Sequence, residues 1–248
     1  MQISVLTLNI RNINDRYTER RPLLCREFAE LAPDIAGLQE VIFGEESQDE
    51  MLARSVPQRV YRAVDARSDR YPMFGNAMLC AVGEIQAHEQ LRLSHNRVVQ
   101  RALIALPGNR TLWIANTHLH HKPGEPGVRM SQAIDICRWL AEAPSADAIV
   151  ITGDFNTPPF EAAYTVMRSA GYRSAFSEAN GAEPAVTWPS GIECETKDTE
   201  GDPNCLDYIW LSGAVRALAV RLVFNQHSAG DPTLFPSDHF GILADLDV

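Results

Sequence analysis

The chain has no Cys-x-x-Cys pair, no low-complexity run or internal repeat, no excess of positive charge and no long apolar stretch. Each absence removes a class of protein. Five cysteines, at 25, 80, 137, 194 and 205, are odd in number and wrongly spaced for a zinc cluster. Cys194 and Cys205 flank one polar loop, but a reducing compartment disfavours a disulfide between them. No run approaches the ~20 residues that span a bilayer. The opening segment, Met1 to Ile10, lacks a basic n-region and reads as a strand rather than a signal peptide. The expectation is a soluble, cytoplasmic protein without a membrane span.

The charge balance carries its own exclusion. A formal net charge of -10 and a pI near 5.2 repel polyanions, so a long duplex-DNA footprint is disfavoured. A local basic rim is still open to Arg16, Arg20 and Arg21. The acidic loop from Glu193 to Asp202 would repel a polyanion further, and it lacks the spacing of an EF-hand.

What is present is enough for a large core: 248 residues, of which 45% are hydrophobic, expected as one domain over 1–248. Short runs rich in Val, Ile and Leu predict strands at 3–8, 35–39, 77–82, 98–106, 112–117, 148–152, 206–211, 217–224 and 240–246. Helical spacing appears at Leu24, Phe28 and Leu31, and again at Met130, Ala133, Ile134, Cys137 and Leu140. Thr157, two prolines, then Phe160, Tyr164 and Met167 predict a third, capped helix. Many strands and few helices imply two packed sheets with helices on their outer faces.

Polar residues fall repeatedly at the ends of these apolar runs. Asn9 follows Val5 to Leu8, Glu40 follows Ile35 to Gln39, His118 follows Trp113 to Thr117, and Asp154 and Asn156 follow Ala148 to Thr152. Asp207 stands near the start of the run 206–211, and Asp238 and His239 open the last. Collected at one edge of a sandwich, they would line a single cleft. In Gly153-Asp154-Phe155-Asn156 a strand end delivers a carboxylate and a carboxamide two residues apart, able to hold a water beside a divalent cation. The plain alternative is a turn.

Leu6 to Ile10, Leu38-Gln39-Glu40, Gly75 to Leu79, Asn116 to Leu119, Gly153 to Asn156, Leu206 to Ile209 and Ser237-Asp238-His239 together resemble the successive motifs of the endonuclease/exonuclease/phosphatase (deoxyribonuclease-I-like) superfamily. The seven stand in the family's order over nearly the whole chain. The resemblance implies a four-layer α/β sandwich, two mostly antiparallel sheets flanked by helices, and metal-assisted hydrolysis of a phosphoester.

Carried over position by position, it implies Asn9, Glu40 and Asp238 as ligands of Mg2+ or Mn2+, ions suited to hard oxygen donors. It implies that Asp154 and Asn156 orient the attacking water and that His239, oriented by Asp207, serves as phosphate donor or general base. Which of Asp154 and His239 takes the water proton stays open. His118 matches a position that contacts the phosphate.

Three further residues are candidates with structural alternatives. Asn76 either donates to phosphate or satisfies its own turn, and Arg101 either clamps phosphate or is a surface strand arginine. Trp188 either rims the site on a lid or packs in the core. Substrate choice should rest between motifs, in the basic and aromatic stretch 59–72, which includes Tyr61, Arg67 and Tyr71, and in a mobile loop at 120–124. The leading reading is a phosphodiesterase or phosphatase for a small or single-stranded substrate. A DNA-repair-type nuclease is the alternative, and a non-catalytic binding protein on the same fold a remote one.

Overall fold

The structure, a computed structural model, describes residues 1–193 and 201–248. The pairing of Cys194 with Cys205 and most of the acidic loop fall outside the described residues. Among the described residues, twelve strands form two six-stranded sheets. The first contains β1 (Gln2–Asn9), β2 (Ile35–Ile42), β3 (Arg62–Arg67), β4 (Phe74–Cys80), β11 (Arg216–Val223) and β12 (Gly241–Asp247), in the order β11-β12-β1-β2-β4-β3. The second contains β5 (Glu84–Leu93), β6 (Arg97–Leu106), β7 (Arg110–His118), β8 (Ala148–Asp154), β9 (Arg173–Ser174) and β10 (Asp207–Gly213), in the order β5-β6-β7-β8-β10-β9. Each sheet has one parallel pair, β1 with β2 and β7 with β8, and is otherwise antiparallel.

Alternation along the strands assigns every side chain to one of two faces. Ile3, Val5, Ile35, Met78, Ile104, Ile114, Val150 and Ile209 point between the sheets and form the central core. Residues of opposite parity point outward. Leu6, Leu8, Ala36 and Leu38 meet α1 (Tyr17–Leu31) and α2 (Gln48–Arg54), while Ala115, Ile151 and Trp210 meet α3 (Pro126–Ala141) and α4 (Ala162–Ser169). The result is four layers. A fifth helix, α5 (Ala175–Asn180), begins at a Ser174 whose hydroxyl accepts from the Ser177 N–H.

The inward face is apolar only part of the way along each strand. β1 runs inward Ile3, Val5, Thr7, Asn9; β7 runs Leu112, Ile114, Asn116, His118; β8 runs Ala148, Val150, Thr152, Asp154. All these polar residues are buried, so they must find partners within the protein. They do so across the gap between sheets. Asn116 donates to the carbonyls of Leu38 (2.9 Å) and Ala77 (3.0 Å), and its oxygen accepts from Gln39 across the gap (2.7 Å) and from Thr152 of its own sheet (3.2 Å). Gly37 makes this approach possible, since a Cβ there would lie 2.0 Å from Oγ1 of Thr152.

Several expectations change at the helices. The third predicted helix begins at Ala162 rather than at Thr157, with Glu161 in the capping position, because the double proline leaves Phe160 outside the helix and exposed. On α3 the buried face is Arg129, Gln132, Ala133, Ile136 and Leu140, and Met130 is exposed. Two polar residues displace the apolar stripe that spacing suggested. Arg20 is likewise no basic rim: it continues the Leu24 and Phe28 stripe on α1 and is fully buried. Its guanidinium donates to the carbonyls of Ile10, Arg11, Asn12, Asn14, Asp15 and Pro236. Arg16 pairs with Glu19 and Asp231, and Arg21 with Glu46.

Candidate active site

The polar ends of the strands open into a cleft of about 710 Å3. Asp154, at the end of β8, is its centre. In register, His118 of β7 lies beside it on one side and Asp207 of β10 on the other, so the three occupy one row across three strands. All three are buried. Nε2 of His118 lies 3.3 Å from Oδ2 of Asp154. The Asn9 amide crosses from the other sheet to donate to the same oxygen at 3.0 Å.

His239 completes the row from the segment before β12. Its Nδ1 lies 2.9 Å from Oδ2 of Asp207 and its Nε2 3.7 Å from Oδ2 of Asp154. A carboxylate only accepts, so the nitrogen facing Asp207 carries the proton. The segment is fixed by Ser237, which donates to the Asn9 carbonyl at 2.7 Å, and by Ser190, whose N–H donates to the Asp238 carbonyl at 2.7 Å.

Electrostatics follow from burial and from these neighbours. Burial disfavours the His239 cation, but Asp207 and then Asp154 outweigh it, and the imidazole pKa is held above its ordinary value. Burial, reinforced by Asp207, pushes the Asp154 carboxyl upward against the pull of His239. His118 is pushed well below the usual range by burial and by Arg97 and His239, which keeps it neutral. Among the described residues its Nδ1 has no hydrogen-bond partner.

Asn156 and Asp154 form the turn that was the plain alternative for this motif. β8 ends at Asp154; Asn156 has φ 49° and its N–H donates to Oδ1 of Asp154 at 2.9 Å. The turn does not remove Asn156 from the cleft, which it lines, with its amide donating to the Leu119 carbonyl at 3.2 Å.

On the facing wall, Glu40 and Asp238 present carboxylates to the same cleft. Alternation would send Glu40 outward with Ala36 and Leu38. A bulge between Leu38 and Val41 and a left-handed Glu40, φ 56°, re-aim it. Oε2 of Glu40 accepts from Asn12 at 2.7 Å. Oδ2 of Asp238 accepts from the Trp188 indole at 3.3 Å and lies 3.5 Å from the Arg11 guanidinium. Oδ1 of Asn9 accepts from the Arg11 N–H at 3.0 Å, which leaves that oxygen a second lone pair. Two carboxylates and one amide oxygen, each held by a neighbouring donor, fit a hard divalent cation in donor chemistry. Asp154, Asp207 and His239 also bring ligand atoms within 4.8 Å of one another.

The structure does not bring Arg101 or Asn76 to the cleft lining. Arg101 has the outward parity of Val99 and lies under α3, bonded to Glu89 (2.6 Å) and the Trp139 carbonyl and stacked between Trp113 and Trp139. Asn76 is a strand residue of β4 rather than a turn residue, and its amide donates to the Val98 carbonyl at 3.2 Å. Trp188 is buried, not on an exposed lid, yet still lines the cleft.

Sequence reasoning missed Arg97, at the start of β6, and Arg11. Both line the cleft: Arg97 faces the fields of Glu40 and Asp154 and lies 3.0 Å from Nδ1 of His121, while Arg11 stands between Glu40 and Asp238. Neither has a sequence signal beyond following or preceding a strand. In the stretch 59–72, Tyr71 reaches the cleft, whereas Arg59, Tyr61 and Arg67 are spent on Asp34, the Pro33 carbonyl and Asp65.

The model of the Endonuclease/Exonuclease/phosphatase family matches residues 6–239. The chain belongs to that family. A Xenopus laevis protein, Nocturnin, is 26% identical over 265 residues, covering 93% of this chain and 65% of the relative, so the chain spans less than two thirds of that protein. The human Nocturnin catalytic domain with bound sulfate superimposes with a TM-score of 0.80 at 22% identity, covering 99% of this chain and 93% of that one. D. rerio TDP2 complexed with single strand DNA product gives 0.78 at 18% identity, covering 100% and 99%. The expected two-sheet sandwich is the fold these family members share.

Proposed function

We propose that the chain is a divalent-metal-dependent phosphoester hydrolase acting on a small or single-stranded substrate. The observation that carries this is the row His118, Asp154, Asp207 and His239 facing Glu40 and Asp238 across one cleft. Asn9, Glu40 and Asp238 would hold Mg2+ or Mn2+, which when bound supplies Lewis-acid polarisation of the phosphoryl oxygen.

The residues divide the remaining work. Asp154, fixed by Asn9 and by the Asn156 N–H, orients a water for in-line attack and takes its proton at Oδ2. His239 donates from Nε2 to a phosphoryl oxygen, since Asp207 holds its other nitrogen. Neutral His118 and Arg97 contact the other phosphoryl oxygens. The charge balance and two exposed aromatics that line the cleft, Tyr71 and Phe160, support a substrate with few phosphates and a ring to stack.

Hydrolysis of bis(p-nitrophenyl) phosphate with Mg2+ or Mn2+ should be abolished by excess chelator and in Asp154→Ala. Undiminished turnover in either case sinks the assignment. A DNA-repair-type nuclease is the second reading, favoured by the TDP2 neighbour with its single strand DNA product. It predicts strong salt dependence and preference for DNA over small phosphodiesters in the same panel. The cytoplasm is the proposed location, in keeping with free thiols at Cys25, Cys80 and Cys137.

A further inference from the structure

Two imidazoles of the cleft wall, with a carboxylate beside them, take no part in the hydrolysis. His95, His120 and Glu125 each offer one ligand atom, and the three atoms lie within 4.8 Å of one another. Nε2 of His120 is 3.0 Å from Oε2 of Glu125, Nε2 of His95 is 4.0 Å from the same oxygen, and the two rings have centroids 4.5 Å apart. Tetrahedral zinc with bonds of ~2.0–2.2 Å sets its donors roughly 3.3–3.5 Å apart, between these two spacings.

The three groups come from two segments, the β5–β6 turn and the β7–α3 connection, both tied to one helix. Oε1 of Gln132 on α3 accepts from the His120 N–H at 2.9 Å, and Nε2 of the same side chain donates to the Ser94 carbonyl at 2.8 Å. Glu125 is the residue immediately before α3. Arg129, also on α3, donates to the Lys122 carbonyl and pairs with Glu161 at 2.8 Å, so the 120–124 loop expected to be mobile is pinned. His95 and Asn96, φ 59° and 56°, both take the left-handed conformation that this tight hairpin turn requires. His120 is buried, and a metal ion of this class takes imidazole in its neutral form.

We propose that His95, His120 and Glu125 bind a borderline divalent transition-metal ion of the zinc class, at a site separate from Glu40 and Asp238. Two imidazoles and a single carboxylate favour such an ion over Mg2+. Both histidines line the cleft, so a remaining coordination position opens toward substrate. The site stands whether or not the hydrolase reading does.

The test is Co2+ titration of the tag-free full chain after chelator treatment, read by visible d–d absorption. With Mg2+ in excess one equivalent should still bind, be displaced by Zn2+ and persist in a Glu40→Gln, Asp238→Asn double variant. His95→Asn, which keeps a residue suited to the left-handed turn, and Glu125→Gln should each weaken it by more than about 100-fold, beyond the 10–100-fold typical of outer-shell losses. Absence of bands, bands unchanged in both single variants, bands abolished by the double variant, or displacement by Mg2+ would overturn the proposal.

Discussion

The side-chain amide of Asn9 donates to Oδ2 of Asp154 at 3.0 Å, joining residues 145 positions apart and the inner faces of two sheets. The contact makes the position of the central carboxylate a property of how the sheets pack. It also sets the predictions for that carboxylate and its neighbours.

Asp154→Asn keeps the volume and loses the proton acceptor. The expected outcome is a fall in kcat of about 10²–10⁴-fold, typical of a missing general base, with an unchanged circular dichroism spectrum. Activity undiminished from wild type would remove Asp154 from the chemistry.

Asp207→Asn should act through His239 and not through binding. The carboxylate 2.9 Å from Nδ1 fixes both ring orientation and protonation. Steady-state kinetics should show kcat lowered by roughly 100-fold with KM little changed. Loss confined to KM would contradict the positioning role.

The two arginines of β6 should separate cleanly. Arg97→Gln is expected to lower kcat/KM by about 10–100-fold, the loss of one charged contact worth ~1.5–3 kcal/mol. Arg101→Met should leave kcat/KM alone and lower stability in a urea titration, because it lies between two tryptophans and pairs with Glu89 away from the cleft. Reversed phenotypes would restore Arg101 as the phosphate contact.

Asn116→Ala removes three inter-sheet hydrogen bonds and a fourth from Thr152 of its own sheet. Each buried group left without a partner costs about 1–3 kcal/mol, so chemical denaturation should show a loss of at least ~3 kcal/mol. A loss below ~1 kcal/mol would mean that Asn116 does not stitch the sheets.

Asp34 gives a pH signature on the acid side. Burial raises its carboxyl, but the Ser4 N–H (2.8 Å), Arg59 and the Ser4 hydroxyl (3.0 Å) outweigh it, and the pKa lies below the ordinary 3.8. A depressed carboxylate stabilises the fold fully above its unfolded pKa and ceases to do so as pH falls through the folded one. The stability difference between wild type and Asp34→Asn should therefore be constant from neutral pH down to the ordinary value and shrink below it. A difference independent of pH across that window would disprove the linkage.

Strand runs and their polar ends were legible in the sequence because a two-residue period survives without tertiary information. β1, β7 and β8 lie where their apolar runs place them, and so does the row they end in. β3 and β5 were not legible: Arg62–Arg67 and Glu84–Leu93 are mostly exposed or half-exposed, so no apolar run marks them. Arg101 illustrates a second limit, since alternation shows that a residue shares a face with Val99 but not which face meets a helix. Arg20, Arg129 and Gln132 illustrate a third. Each is a polar side chain buried to bind backbone or loops, and composition reads such residues as surface.

The row of His118, Asp154 and Asp207 has a consequence for variation. Its spacing is that of adjacent strands, about 4.8 Å, and is maintained by main-chain ladders that any sequence compatible with the sheet will form. The segments beyond the strand ends that carry Tyr71 and Phe160 are under no such constraint. Loops can therefore be lengthened, exchanged or grafted to redirect substrate choice while the reacting groups keep their places, which makes this scaffold a suitable host for transplanted specificity.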